Sequence, residues 1–269
     1  MKMSTQVDLF TNVEPTSVSP AIAKPFVSRS TFYQGDCLVE MNKIADKSVD
    51  MILCDLPYGT TACKWDILIP FEPLWKQYNR IAKDNAAIVL FGDEPFSSYL
   101  RMSNIKDYRY DWVWDKKMVT GVGTVKIKPM KGHENILVFY KAKPTYNPQL
   151  REVKKPFGKI VDMRSETTGD FEYSGERGIG YPKTILEFPK PNNLSKKDLG
   201  GLHPTQKPTS LLKYLVKTYT NEFETVLDNT MGSGSTGVAC KELNRHFIGI
   251  EKDEKYFEIA VSRVSAYCG

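Results

Sequence analysis

The chain has no Cys-x-x-Cys pair and no apolar run long enough to cross a bilayer. Its five cysteines (Cys37, Cys54, Cys63, Cys240, Cys268) are odd in number and scattered. That excludes a disulfide framework and a structural zinc site, which needs paired ligands. No metal ligand set is assigned, and the thiols read as reduced groups of a cytosolic protein. Residues 1–30 lack a basic start followed by an apolar core, so they do not read as a secretory signal. They are rich in Ser, Thr, Pro and Val without periodicity, which predicts a mostly disordered leader.

Charge is also sparse. The net charge is only +5 over 269 residues, and residues 141–200 hold 12 Lys/Arg against 8 Asp/Glu. That segment interleaves its basic residues with Tyr146, Phe157, Phe171, Tyr173, Tyr181 and Phe188. The pattern fits a polyanion-facing surface, with an ordinary solvated surface as the competing reading.

What is present is an alternation of strand and helix patterns. Strands are predicted at 31–34, 49–54, 86–91, 108–114, 136–140, 184–188, 225–228 and 247–251. Helices are predicted at 37–45, 71–82, 94–102, 208–219, 235–243 and 254–265. Such alternation implies an α/β fold with a mostly parallel sheet. It breaks between 144 and 201, where Pro, Gly, Asn and Lys dominate.

Two motifs carry chemistry. Asp55-Leu56-Pro57-Tyr58 directly follows the strand at 49–54. A carboxylate, a rigid proline and an aromatic ring at a strand end suit a flat ligand with an exocyclic amino group, such as a nucleobase. The second motif, Gly232-Ser233-Gly234-Ser235-Thr236-Gly237, lies between a strand and a helix. Glu251 closes the next strand, where a carboxylate can hold the ribose hydroxyls of an adenosine cofactor. Asp228, just before the loop, places an anion where a pyrophosphate would be repelled. S-adenosylmethionine, with an ammonium and a sulfonium, suits that position better than the competing dinucleotide.

These motifs, in this order, resemble the amino-methylating DNA methyltransferases of the β arrangement. In that family the tetrapeptide, commonly Asp-Pro-Pro-Tyr, comes first and the cofactor loop last. Here Leu56 replaces the first proline. The segment Asp228-Asn229-Thr230-Met231-Gly232-Ser233-Gly234 is similar to the family's Asp-Pro-Phe-x-Gly-Ser-Gly, with Thr230 in place of Phe. His203-Pro204-Thr205-Gln206-Lys207-Pro208, Gly35-Asp36 and Glu134-Asn135-Ile136-Leu137-Val138-Phe139 resemble further family segments.

The resemblance implies a Rossmann-like methyltransferase sheet with helices on both faces, circularly permuted motif order and a small loop-rich insertion. The implied divisions are a leader at 1–30, a catalytic half at 31–141, a target recognition region at 142–201 and a cofactor-binding half at 202–269. Catalytic roles fall to Asp55, Pro57 and Tyr58. Cofactor contacts fall to Asp36, Cys37, Asp55, His203, Thr205, Lys207, Asp228, Thr230, Gly232, Ser233, Gly234 and Glu251. Trp65 reads either as a pocket wall or as a core anchor for its loop.

The expected activity is methyl transfer from S-adenosyl-L-methionine to adenine N6 in double-stranded DNA, in the cytoplasm. Asp at the first tetrapeptide position favours adenine, whereas Ser is more usual in the cytosine N4 enzymes. Cytosine N4, an RNA or protein-glutamine amino group, and a catalytically silent DNA-binding module are the alternatives. A homodimer and a restriction endonuclease are the protein partners that the resemblance leaves open.

Overall fold

The computed structural model describes residues 28–60, 66–152, 179–190 and 206–267. Residues 1–27 of the expected leader, Trp65, His203, Thr205 and most of the 142–201 segment lie outside them, while Ser30, the leader's last residue, already belongs to the first strand. Among the described residues no helix is long and apolar enough to cross a membrane.

The chain opens with β1 (Ser30–Gln34) and α1 (Cys37–Glu40), followed by β2 (Val49–Cys54), α2 (Phe71–Ile81), β3 (Ala82–Gly92) and α3 (Phe96–Ser103). The strands β4 (Tyr108–Thr120) and β5 (Lys131–Phe139) come next, then three short ones: β6 (Arg151–Glu152), β7 (Ile179–Gly180) and β8 (Ile185–Glu187). The last third is α4 (Thr209–Tyr219), β9 (Thr225–Asp228), α5 (Ser235–Glu242), β10 (His246–Glu251) and α6 (Glu254–Ala266). Eight strands form one sheet in the order β1-β10-β9-β2-β3-β5-β4-β8, while β6 and β7 pair separately. Within the large sheet only β5 runs against its neighbours. This is the expected Rossmann-like sheet.

Alternate residues of each central strand feed opposite cores. Met51, Leu53, Val89 and Phe91 face one cluster, with Leu211 and Leu215 of α4, Val238 of α5 and Val264 of α6. Ile52, Cys54, Ile88 and Leu90 face the other, with Leu74 and Tyr78 of α2 and Phe96 and Leu100 of α3. Burying each large apolar side chain contributes roughly 1.5–3 kcal/mol. The apolar positions Leu74, Tyr78 and Ile81 recur at helical spacing, so α2 forms where the sequence predicts it. For α6 the start is set by Asp253, whose carboxylate accepts the Tyr256 amide at 3.1 Å.

Three elements differ from the sequence prediction. The helix expected at 37–45 is a single α turn followed by a 3₁₀ turn at Met41–Lys43. β3 starts at Ala82, directly after α2, and its early residues Lys83–Asn85 are exposed, so the apolar run marked only its buried part. The strands expected at 108–114 and 136–140 are the inner halves of one long hairpin. β3 ends where Gly92 pairs with Asn135, yet β5 begins at Lys131. At a strand rise of 3.4 Å per residue the hairpin therefore extends about 13 Å past the end of β3.

Candidate active site

β2 and β9 are neighbours at the centre of the sheet, and the chain leaves their C-terminal ends toward opposite faces. That is where open α/β sheets bind ligands. A cavity of about 950 Å³ lies there. Its lining includes Asp36, Cys37, Asp55, Pro57, Tyr58, Lys207, Asp228, Thr230, Gly232, Ser233 and Glu251. Residues as far apart in sequence as Asp36 and Glu251 thus share one wall, and both sequence motifs open onto one space.

Hydrogen bonds join the two motifs directly. The Thr230 hydroxyl donates to the backbone carbonyl of Asp55 at 3.1 Å. The Asn229 amide donates to Cys54 Sγ at 3.3 Å, and that thiol donates to Asn229 Oδ1 at 2.9 Å. Tyr78 also donates to Asn229 Oδ1, at 2.6 Å. Burial pushes the Cys54 and Cys37 thiols up, so both stay protonated and unreactive.

Asp55 is at the centre of a charged network. Its Oδ1 accepts from the Tyr58 hydroxyl at 2.8 Å, and its Oδ2 from Lys207 Nζ at 2.6 Å. Tyr58 also lies 2.6 Å from Glu134 Oε1, and Lys207 lies 3.1 Å from the same oxygen. Lys116 completes the group at 2.9 Å from Glu134 Oε2. Two carboxylates and two ammonium groups balance in formal charge, as buried charges must.

Burial raises the Asp55 carboxyl above the usual range, with Lys207 opposing and Glu134 reinforcing the rise. Burial would raise Glu134 too, but Lys207 and Lys116 hold it down to about 2. For Lys207 burial works toward neutrality, and the two carboxylates outweigh it and keep the ammonium charged. The Tyr58 ring stacks on Phe96 with centroids 4.8 Å apart. The loop after it is tied down by Asp66, which accepts the amides of Gly59 and Thr60 at 2.8 and 2.9 Å.

The glycine loop is shaped for close approach. Gly234 has φ +80°, and a Cβ there would lie 3.0 Å from Ala260. A Cβ on Gly237 would lie 2.6 Å from Val264 and 2.7 Å from Phe247, so this glycine lets α5 pack tightly. Glu251 Oε2 accepts the Gly232 amide at 2.8 Å, and Oε1 accepts the amides of Lys252 and Asp253, each at 2.9 Å. A carboxylate offers about four lone-pair sites, so Oε2 keeps one for a further donor. Arg263 anchors the loop from behind through the carbonyl and hydroxyl of Ser233.

Asp228 is buried with no basic partner among the groups that shift it. Burial raises its carboxyl to about 7, against the Thr236 hydroxyl and the Thr230 amide, which pull the other way. Asn229 Nδ2, Ser235 Oγ and Gln206 Oε1 are buried polar atoms without a hydrogen-bond partner among the described residues, and all three residues line the cavity. Orphaned polar groups around a cavity fit a polar ligand.

Asp36 is exposed. Its carboxylate caps α1 at the Leu38 amide (3.1 Å) and meets Lys252 at 3.3 Å, beside Glu251. Glu134 and Lys116 are the residues that sequence reasoning left without a role. The available signal was a carboxylate opening the apolar run Ile136–Phe139.

Comparison with known proteins agrees with this geometry. A family model described as DNA methylase, for N6 and N4 methyltransferases, matches residues 49–262. The type II methyltransferase M1.MboII of Moraxella bovis is 27% identical over 256 residues, covering 83% of this chain and 92% of that protein. The DNA adenine methyltransferase YhdJ of Escherichia coli K12 is 29% identical over 255 residues, covering 87% and 82%. Among solved structures, the cytosine-N4-specific PvuII DNA methyltransferase superposes with a TM-score of 0.62 at 15% identity, covering 88% of this chain and 86% of that one. The last likeness is one of fold. Because the family match runs from β2 into α6, this chain belongs to the N6/N4 DNA methylase family.

Proposed function

We propose that this DNA methylase transfers the methyl group of S-adenosylmethionine to adenine N6 in double-stranded DNA. The observation that carries the reading is the placement of Asp55 and Tyr58 in one cavity with the glycine loop and Glu251. Residue 55 being Asp rather than Ser favours adenine, as does the adenine methyltransferase among the relatives.

When bound, S-adenosylmethionine would supply an electrophilic methyl on sulfur for transfer to the amine. Glu251 would accept one ribose hydroxyl at the remaining lone pair of Oε2. The Asp228 carboxylate would match the cofactor's cationic part, and the orphaned side-chain amide of Asn229 and hydroxyl of Ser235 would take its polar atoms. An exocyclic amine is a poor nucleophile, because its lone pair is delocalised into the ring. Asp55 accepts one amino hydrogen and localises that pair. As the nitrogen becomes cationic, the carboxylate stabilises the charge where it develops. The excess proton leaves to Asp55, whose raised affinity for protons suits that step. Pro57 fixes the backbone so that the carbonyl of Leu56 or Pro57 can accept the second amino hydrogen.

The target base must leave the duplex to reach this depth, at a cost of a few kcal/mol. Stacking on an aromatic ring returns roughly 1–3 kcal/mol. One face of Tyr58 is covered by Phe96, so the base takes the other.

Asp55→Ala is expected to lower methyl transfer by at least about a hundredfold, as for loss of a group aimed at developing charge, while cofactor affinity is kept. Tritiated transfer and a cofactor titration measure the two. Full activity in that variant sinks the assignment. Mass spectrometry of digested product DNA decides the base. The fold likeness to a cytosine-N4 enzyme keeps N4-methylcytosine as the second reading, and finding it in the digest would replace adenine.

A further inference from the structure

The hairpin beyond the sheet edge has a composition the reaction does not use. Residues 116–132 hold five lysines and no Asp or Glu, a charge equal to the +5 of the entire chain. The remaining residues therefore sum to zero. Three of the lysines are neutralised at the base of the arm: Lys116 by Glu134, Lys117 by Asp115 and Glu187, and Lys131 by Asp93. Lys126 and Lys128, near the tip, are exposed and form no ion pair among the described residues. Apolar side chains stand beside them in water. Ile127 is 86% exposed and Val122 68%, and Met118, Val119, Val125 and Met130 are exposed as well. Isolated exposed apolar residues need no explanation, but six on one projecting arm do.

The arm rises at the mouth of the cavity. Its base residues Trp114, Lys116 and Glu134 line the cavity wall. β8 covers the outer edge of β4 only as far as Asp115, and beyond Lys116 no other described strand pairs with the arm: β4 and β5 meet again at Thr120 and Lys131, and residues 121–130, with a 3₁₀ turn at Val122–Thr124, form its tip. A hairpin tip carried on two strands about 4.8 Å apart is an object that the major groove, about 12 Å wide, admits.

We infer that the β4–β5 arm enters the major groove of duplex DNA beside the extruded base, with Lys126 and Lys128 on backbone phosphates and Val122 and Ile127 against the groove wall. Exposed cations at the tip match a polyanion. They disfavour the other occupant of an apolar surface, a second copy of this chain. A two-fold contact between arms would bring the unpaired Lys126 and Lys128 ammonium groups of both copies into one interface. The inference rests on the DNA reading above and adds the element that holds the duplex in place.

The test is fluorescence anisotropy of the full chain with a fluorescein-labelled duplex of random sequence across a potassium chloride series. Lys126→Ala combined with Lys128→Ala is expected to lower the salt slope by about two, one for each lost phosphate contact. Val122→Ser with Ile127→Ser is expected to weaken binding about tenfold at unchanged slope, because apolar burial releases no counterions. Cofactor titration should be the same in all variants, since the cofactor half of the cavity is untouched. Unchanged slope and affinity in the lysine variant, with a wild type that methylates DNA, overturns the inference alone. A lysine variant that changes sedimentation mass at constant slope overturns it in favour of contact between copies. A wild type that transfers no methyl to DNA overturns both the inference and the reading beneath it.

Discussion

Two buried carboxylates in the same cavity have been treated in opposite ways. Glu134 is surrounded by Lys116, Lys207 and the Tyr58 hydroxyl, and it ionises at about 2. Asp228 has hydroxyl and amide donors but no cationic partner among the described residues, and it ionises at about 7. Depth does not separate them, since burial pushes both upward. The difference is the presence of lysine. A carboxylate with built-in cations is a fixed part of the scaffold. A carboxylate without one can still be matched by a cation that the ligand brings, as S-adenosylmethionine does.

The largest effect should come from breaking the paired side. Glu134→Ala leaves Lys116 and Lys207 facing each other with one carboxylate fewer. Removal of one partner from a buried ionic group costs about 3–5 kcal/mol. Urea unfolding should show that loss, and a change below about 0.5 kcal/mol would mean that the network is not a structural unit.

Next in size is the unpaired side. A native Asp228 carboxyl near 7 lies above its unfolded value near 3.8. The charged form is therefore disfavoured by folding. The associated stability is fully present below about pH 4 and is lost as pH rises through about 7. The loss is at most about 4 kcal/mol. Asp228→Asn should flatten that segment of the stability curve, whereas Glu134→Gln should not. Identical pH curves for wild type and Asp228→Asn would remove the contrast.

The smallest effect concerns the bridge between the two plans. Lys207 pulls the Asp55 carboxyl down against burial and Glu134. Without it the carboxyl rises further, so the acidic limb of the kcat–pH profile in Lys207→Met should move upward by about one unit, the scale of a single close charge. An unmoved limb would show that Lys207 does not tune Asp55.

The sequence made the buried architecture readable, because burial writes a period. β9 was expected at 225–228 and lies at Thr225–Asp228, and the apolar faces of α2 and α4 were visible at helical spacing. The outer half of β4 was not readable, since Lys117–Thr120 are exposed and show no alternation. The site was legible in its motifs but not in its partnerships. Lys207 and Asp55 are 152 residues apart, and Tyr58 and Glu134 are 76 apart. No local pattern encodes such pairs. The resemblance assigns Lys207 to the cofactor contacts, and the structure sets its ammonium on Asp55 in the same cavity.

The grip of Lys207 on Asp55 carries a consequence for selectivity. Its ammonium donates to Asp55 Oδ2, so on the proposed mechanism an amino hydrogen of the target base would compete with it for the same carboxylate. An arriving amine therefore exchanges one donor for another, and Asp55 keeps its full set of hydrogen bonds throughout. A base with an oxo group at that position offers a lone pair instead. It can neither relieve the lysine nor face the carboxylate without repulsion. The lysine is thus a place-holder with the substrate's own hydrogen-bonding polarity, and only a group of that polarity can take over from it.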